Sequence, residues 1–304
     1  MSKNKLTRRQ FVSTVTAGAG TALIGNTVLS ARPSGALSLS DTLKGVSLGN
    51  SGLRTTFLGM GTGFSGYDRS SGIIRSGVSG SVIRLAYDRG IRFFDCADSY
   101  GTHSSVAYAL RDVPRESYTL CSKIWVSQGG IPEPERPDAN LVIDRFRKEL
   151  NTDYIDLIQI HCMTDAHWTD KEKKEMDILE KLKSKGIIRA HGVSVHSLEA
   201  LEACCGNNWV DVVHVRINPY GEAMDKSDPC RVTPVIEKLH HEGKGVIGMK
   251  ITGAGKFKNE NEKIEEALKY LIGLSTVDIV IAGFENPDQI DRYIAAAQKG
   301  LMPA

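Results

Sequence analysis

From Leu53 onward, short apolar runs alternate with longer stretches whose apolar residues recur three and four apart. The runs predict strands at Phe57–Met60, Ile91–Asp95, Thr119–Lys123, Ile155–His161, Ala190–Ser194, Val210–Val215, Val246–Lys250 and Val277–Ile281. Several are apolar on both faces, as the strands of a buried parallel sheet are. The spaced stretches predict helices at Ser79–Arg89, Ala139–Leu150, Lys171–Lys185, Leu198–Cys204, Thr233–Glu242, Glu260–Leu271 and Pro287–Ala297. Gly90, Gly186 and Gly243 follow three of these, where a left-handed residue ends a helix. Few two-residue hairpin turns interrupt the alternation. Eight β/α repeats predict an α/β fold, a single (β/α)8 TIM barrel over residues 45–304, rather than an open doubly wound sheet. No G-x-G-x-x-G follows an early strand, so the doubly wound alternative lacks its phosphate loop.

Hydrophobic content of 41% and charge of 24% are ordinary for a soluble enzyme. The formal charge of +2 comes from the first 36 residues, which hold Lys3, Lys5, Arg8, Arg9 and Arg32 and no acid. The remainder has 33 basic and 36 acidic residues, which excludes a polybasic nucleic-acid surface. Thr7-Arg8-Arg9-Gln10-Phe11-Val12 resembles the twin-arginine export motif. A mildly apolar stretch from Phe11 to Leu29 follows, and Ser34-Gly35-Ala36 offers small residues for a signal peptidase. Residues 1–36 are therefore expected to be a signal peptide read by the twin-arginine machinery, placing the protein in the periplasm or outside the cell. The glycines and threonines of that stretch argue against a stable membrane anchor. Six cysteines show no metal-ligand spacing, and Cys96, Cys121 and Cys162 fall in or beside strands as small apolar fillers.

Asp95, Tyr100, Lys123 and His161 each sit at or just beyond the end of a predicted strand. A parallel barrel gathers those ends into one mouth, so the four side chains converge. Carbonyl reduction needs a hydride at carbon and a proton at oxygen. A free phenol, with pKa near 10, is a poor acid at neutral pH unless a neighbour stabilises its phenolate. An ammonium such as Lys123 would do that, with Asp95 holding its position and charge.

Phe93-Phe94-Asp95-Cys96-Ala97-Asp98-Ser99-Tyr100-Gly101 is one long motif. A second runs from Phe146 through Asp153-Tyr154-Ile155-Asp156-Leu157-Ile158-Gln159-Ile160-His161, and a third from Leu182 through Gly186-Ile187-Ile188-Arg189 to Ser194. Together they resemble the aldo-keto reductase superfamily, over roughly Leu48 to Ala295. The resemblance implies Tyr100 as the acid, Lys123 and Asp95 as its tuning pair, and His161 as the residue that orients the substrate.

It also implies a nicotinamide cofactor. Ser194 is retained from a Ser-Asn pair that holds the carboxamide, but Val195 and His196 follow it. His214 stands where the family has glutamine, and Met249 where it has a stacking aromatic. Lys250 and the loop Thr252-Gly253-Ala254-Gly255-Lys256 are expected at the pyrophosphate, with Gly253 and Gly255 giving close backbone approach. Glu285 and Gln289 lie in the turn that reads the adenosine ribose; no lysine or arginine occupies it, so NAD is as compatible as NADP. The irregular segment Trp125–Pro137 overhangs the mouth, and Trp125 and Trp168 are candidate stacking surfaces for a sugar, a polyol or another small carbonyl substrate. Outside the cytoplasm free NAD(P)H is scarce, so a retained cofactor recycled by a second substrate is expected. The competing reading is a dinucleotide-binding regulatory barrel without turnover. A metal-dependent barrel is disfavoured because His161 and His214 lack a convincing third ligand.

Overall fold

The structure, a computed structural model, describes residues 45–224 and 228–301; the expected leader lies outside them. It opens on an antiparallel hairpin of β1 (Gly45–Ser47) and β2 (Arg54–Thr56) that the alternation did not reveal, because three-residue strands carry almost no periodicity. Leu48 and Leu53, in its turn, join Phe93, Cys121, Leu157, Ala190, Val212, Ile247 and Ile279 in one apolar cluster. The hairpin therefore plugs the end of the barrel opposite the strand carboxyl ends.

The barrel strands are β3 (Leu58–Gly61), β4 (Phe93–Asp95), β5 (Thr119–Ile124), β6 (Ile155–Met163), β7 (Ile188–Val195), β8 (Val212–Arg216), β9 (Gly245–Met249) and β10 (Ile279–Ala282). They pair in parallel in chain order, and β10 closes on β3. All eight coincide with predicted runs to within a few residues. β6 extends past His161 through a register irregularity, with Cys162 at φ +62°. β9 stops at Met249 because Lys250 turns to φ +60°.

The outer layer is α1 (Gly72–Arg75), α2 (Ser79–Asp88), α3 (His103–Ala109), α4 (Ala139–Leu150), α5 (Trp168–Lys171), α6 (Lys173–Ser184), α7 (Leu198–Glu202), α8 (Pro229–His241), α9 (Asn261–Leu274) and α10 (Pro287–Leu301). α4 matches its predicted bounds: Ala139, Val142, Ile143, Phe146 and Leu150 form its buried stripe, and Asn151 ends it at φ +50°. The predicted helix 171–185 is two pieces broken at Glu172. α8 starts four residues early, because Pro229 fits the first turn and the Asp228 side chain accepts from Cys230 N–H. Among the described residues no helix is long and apolar enough to cross a membrane.

One glycine inside the barrel is dictated by close approach. A Cβ on Gly192 would stand 1.8 Å from the Val212 carbonyl oxygen of the neighbouring strand. Gly192→Ala is expected to destabilise the protein by about 3 kcal/mol, read from the midpoint of urea unfolding, because backbone rather than a pliant side chain opposes the added atom.

Candidate active site

Asp95 ends β4, and the chain then forms a 3-10 turn at Asp98–Tyr100 closed by Gly101 at φ +70°. Thr62, just beyond β3, donates its hydroxyl to the Asp95 carbonyl at 2.8 Å. The Tyr100 ring lies directly on the backbone of that first loop: a Cβ at Gly63 would come within 2.3 Å of ring carbons, and one at Gly66 within 2.7 Å. Lys123, buried on β5, donates to Asp95 Oδ1 and, at 2.9 Å, to the Cys96 carbonyl. Its Nζ stands 5.0 Å from the centre of the Tyr100 ring. His161 Nε2 lies 3.4 Å from the Tyr100 hydroxyl. The structure thus brings all four predicted residues to one place.

Burial pushes the Asp95 carboxyl up, but Lys123 and His214 outweigh it and hold Asp95 below the usual carboxylate range. Burial pushes Lys123 down, and Asp95 more than reverses that, so both ions persist. Tyr100 differs from expectation. Burial raises its phenol well above the ordinary value, and Lys123 only partly opposes the rise, being already engaged by Asp95 and the Cys96 carbonyl. The phenol is therefore a proton-loaded donor rather than a resting phenolate. Burial, helped by Lys123, keeps His161 neutral, and its Nδ1 has no partner among the described residues.

A network unseen in the sequence anchors the tyrosine turn. Buried Asp98 accepts from Arg69 Nε at 2.9 Å and Arg145 Nη2 at 2.7 Å. Arg69 also reaches Glu133 in the loop 125–137, and Arg145 reaches Glu149. Glu149 meets His103 Nδ1 at 2.7 Å, whose Nε2 contacts Ser122 Oγ at 2.8 Å. Burial pushes Glu149 up, yet His103 and Arg145 bring it down to about 2. Cys162 Sγ and His196 Nε2, 3.6 Å apart, line the same side of the mouth as His161. Nothing in the sequence signals Cys162's left-handed backbone, on which that contact depends.

Beside Tyr100 runs a cleft open to solvent and lined by Met249, Lys250, Gly255, Glu285 and Gln289 from the predicted set, with Gly63, Phe64, Lys258 and Tyr293. Gly253, at φ +58°, is buried next to it. Lys256 is held by Glu222 at 2.7 Å, whereas Lys250 and Lys258 both line the cleft. Gln289 braces its own turn by accepting from Glu285 N–H at 2.7 Å. Lys258, which the sequence did not single out, pairs with Glu285 at 2.8 Å from 27 residues away.

Ser194 and His214 are buried neighbours on β7 and β8 and do not line the cleft. Ser194 Oγ and both ring nitrogens of His214 lack hydrogen-bond partners among the described residues. His214 Nε2 lies 3.2 Å from Asp95 Oδ1, close enough for electrostatic attraction but not aligned for a hydrogen bond. Trp125 meets His161 edge-on at 5.1 Å and borders the site. Trp168 does not: it is 1% exposed, donates from Nε1 to the Ala200 carbonyl and packs on Trp209. Its bulk is used to seat α5, which removes it as a stacking surface. Asp95, Cys121 and His214 offer three ligand atoms within 4.8 Å of one another. The Lys123 ammonium on the same carboxylate, and a Cys121 thiol pushed well up by burial, oppose a cation there.

A family model described as the aldo/keto reductase family matches residues 59–267. Aldo-keto reductase YhdN of Bacillus subtilis is 30% identical over 200 residues, covering 62% of this chain. The chain spans about three fifths of the length of the first curated relatives it matches, 60% and 56%. The NADH-specific methylglyoxal reductase of Escherichia coli is 24% identical over 316 residues, 86% of this chain and 96% of its own. A solved structure described as an aldo-keto reductase, from Pseudomonas aeruginosa, superposes with a TM-score of 0.68 at 26% identity, covering 87% of this chain and 98% of its own.

The buried pair sets a stability test. Lys123→Met leaves Asp95 charged and unpaired, and is expected to cost about 3–5 kcal/mol in urea unfolding. Adding Asp95→Leu is expected to recover much of that loss, because no uncompensated charge then remains.

Proposed function

The chain belongs to the aldo/keto reductase family, and on that premise we propose that it is a nicotinamide-dependent oxidoreductase for a small aldehyde, ketone or sugar carbonyl, with Tyr100 as general acid and base. The observation that carries this reading is the proton-loaded Tyr100 hydroxyl, 3.4 Å from a neutral His161 and backed by the Lys123–Asp95 pair. In reduction the O–H bond of Tyr100 breaks and its proton passes to the substrate oxygen as the carbonyl π pair moves there. The phenolate left behind faces the Lys123 ammonium, which lowers the cost of its formation. Alcohol oxidation runs the same transfer backward. His161 orients the oxygen, and Trp125 walls the approach.

The residues fit a dinucleotide. Met249 suits the flank of a ring, and Lys250 with the Gly253–Gly255 turn a pyrophosphate; Ser194 Oγ is unpartnered but buried away from the cleft. Bound there, the nicotinamide supplies or accepts the hydride. Glu285 and Gln289 suit a ribose, and the Lys258–Glu285 pair places both charges where an added phosphate would sit, so NAD or dual use is favoured over strict NADP.

The twin-arginine pattern at residues 7–12 supports export to the periplasm or beyond. Retention of the cofactor follows from that location. It is also favoured by Phe64, which crosses from the first loop to pack on Gly72, with its ring 3.1 Å from where a Gly255 Cβ would be. A second substrate then reoxidises or reduces the held cofactor in a ping-pong cycle.

Denaturing the purified protein is expected to release NAD or NADP near one equivalent, identified by mass; protein that arrives empty would count against retention. Tyr100→Phe is expected to lower kcat for methylglyoxal reduction by about 10²–10⁴ while the dinucleotide Kd changes less than about threefold. Cofactor-loaded protein that aldehydes never oxidise, with Tyr100→Phe indistinguishable from it, would leave a regulatory dinucleotide-binding barrel.

A further inference from the structure

Three residues of the loop after β3 hold left-handed backbone without being glycine: Ser65, Asp68 and Arg69, at φ +48°, +49° and +54°. Strain of that kind persists only where surrounding contacts fix it, and it concentrates at functional sites. Here the contacts run two ways. Towards the tyrosine turn, Arg69 N–H donates to the Ser99 carbonyl at 3.0 Å and Ser71 N–H to the Tyr100 carbonyl at 3.1 Å. Arg69 Nε donates to buried Asp98 at 2.9 Å. The Arg69 carbonyl oxygen packs so closely on Gly101 that a Cβ there would stand 2.0 Å from it. Towards the loop 125–137, Asp68 N–H donates to the Gly130 carbonyl at 3.0 Å, and Arg69 Nη1 to Glu133 at 2.5 Å.

The loop 125–137 is laced into one unit. Arg136 donates to the Ser127, Gly129, Glu133 and Glu135 carbonyls. The Trp125 indole lies on Gly130, where a Cβ would come within 2.3 Å of ring carbons, and it meets His161 edge-on. A substrate oxygen held by Tyr100 and His161 therefore stands beside the indole. Any shift of the indole passes through Gly130 and Glu133 to Asp68 and Arg69.

We infer that Arg69 is a positioning residue for the proton donor: its two-ended guanidinium makes the seat of Tyr100 depend on how the loop 125–137 is seated over the substrate. The inference rests on Tyr100 being the general acid and base. Arg145 also holds Asp98, at 2.7 Å, but its other end goes to Glu149 on α4. Among the described side chains that hold Asp98, only Arg69 reaches the loop. The planar guanidinium offers separate nitrogens to two carboxylates in a fixed fork, which a shorter ammonium does not reproduce. Glu133 is half exposed, so its bond to Arg69 is modest in strength and weakened by salt. A link of that strength adjusts the donor without being needed to fold the protein.

The test reads hydride transfer in a single turnover, from nicotinamide absorbance, with NADH-loaded protein and saturating methylglyoxal. Among the described residues Glu133 reaches the tyrosine turn only through Arg69. Glu133→Ala is expected to slow transfer about three- to fivefold, and Arg69→Met about tenfold. In the Arg69→Met background Glu133→Ala is expected to add nothing. Arg69→Lys is expected to match Glu133→Ala. Salt at about 1 M is expected to slow the wild-type protein towards the Glu133→Ala rate and to leave that variant unmoved. A Glu133→Ala protein with a raised methylglyoxal KM and the wild-type transfer rate makes the loop a wall only and overturns the inference. Additive losses in the double variant overturn it too. A slower Arg69→Met that merely follows its folded fraction in urea, beside an unmoved Glu133→Ala, makes Arg69 packing only. If Arg69→Met does not fold, Glu133→Ala, Arg69→Lys and the salt series decide. Tyr100→Phe separates the two levels: normal transfer there fails the catalytic reading, whereas an inactive Tyr100→Phe beside an unmoved Glu133→Ala overturns this inference alone.

Discussion

The ion pair of Lys123 and Asp95 is the constraint around which the mouth of the barrel is built. Both side chains are almost wholly removed from water, at 1% and 2% exposure. Each ion alone would cost several kcal/mol to bury, so neither can move without stranding the other. The Cys96 carbonyl takes a second proton of the ammonium, and His214 approaches the carboxylate from across the sheet. The fixed cation lies beneath the phenol, and the phenol is pressed from above by Gly63 and Gly66. On the proposed role of Tyr100 as proton donor, this rigidity contributes as much as its neighbours' charges.

The eight strands and the convergence of Asp95, Tyr100, Lys123 and His161 were readable because both follow from local pattern. An apolar run marks a buried strand, and the last residue of a parallel strand must face the common mouth. Contacts made across the barrel or between distant loops left no such mark. His214 meets Asp95 from four strands away, and Lys258 reaches Glu285 over 27 residues. Trp168 follows a strand that ends at the mouth, which made it a candidate stacking surface; its burial depends on Trp209 and Ala200, far along the chain. The acidity of Tyr100 was misjudged for a related reason. Sequence shows an ammonium paired with a carboxylate nearby, but not how far burial raises the phenol, nor that the Cys96 carbonyl takes another proton of the ammonium. The leader falls outside the described residues and remains a reading of the sequence.

The cleft beside Tyr100 is braced by contacts internal to the protein. Glu285 is tied to Lys258, and Gln289 to the Glu285 backbone. Such a site is preorganised before a ligand arrives, which favours long residence over rapid exchange.

The Asp98 clamp has a consequence for how the substrate range can change. Arg69 holds Asp98 with one nitrogen and Glu133 with another, so the overhanging loop and the tyrosine turn share a single guanidinium. Diversifying that loop to admit bulkier molecules would disturb the seat of Tyr100 at the same time. Around His196 and Cys162 the path to Tyr100 runs through the His161 ring alone among the described residues, with no ion pair to transmit a change.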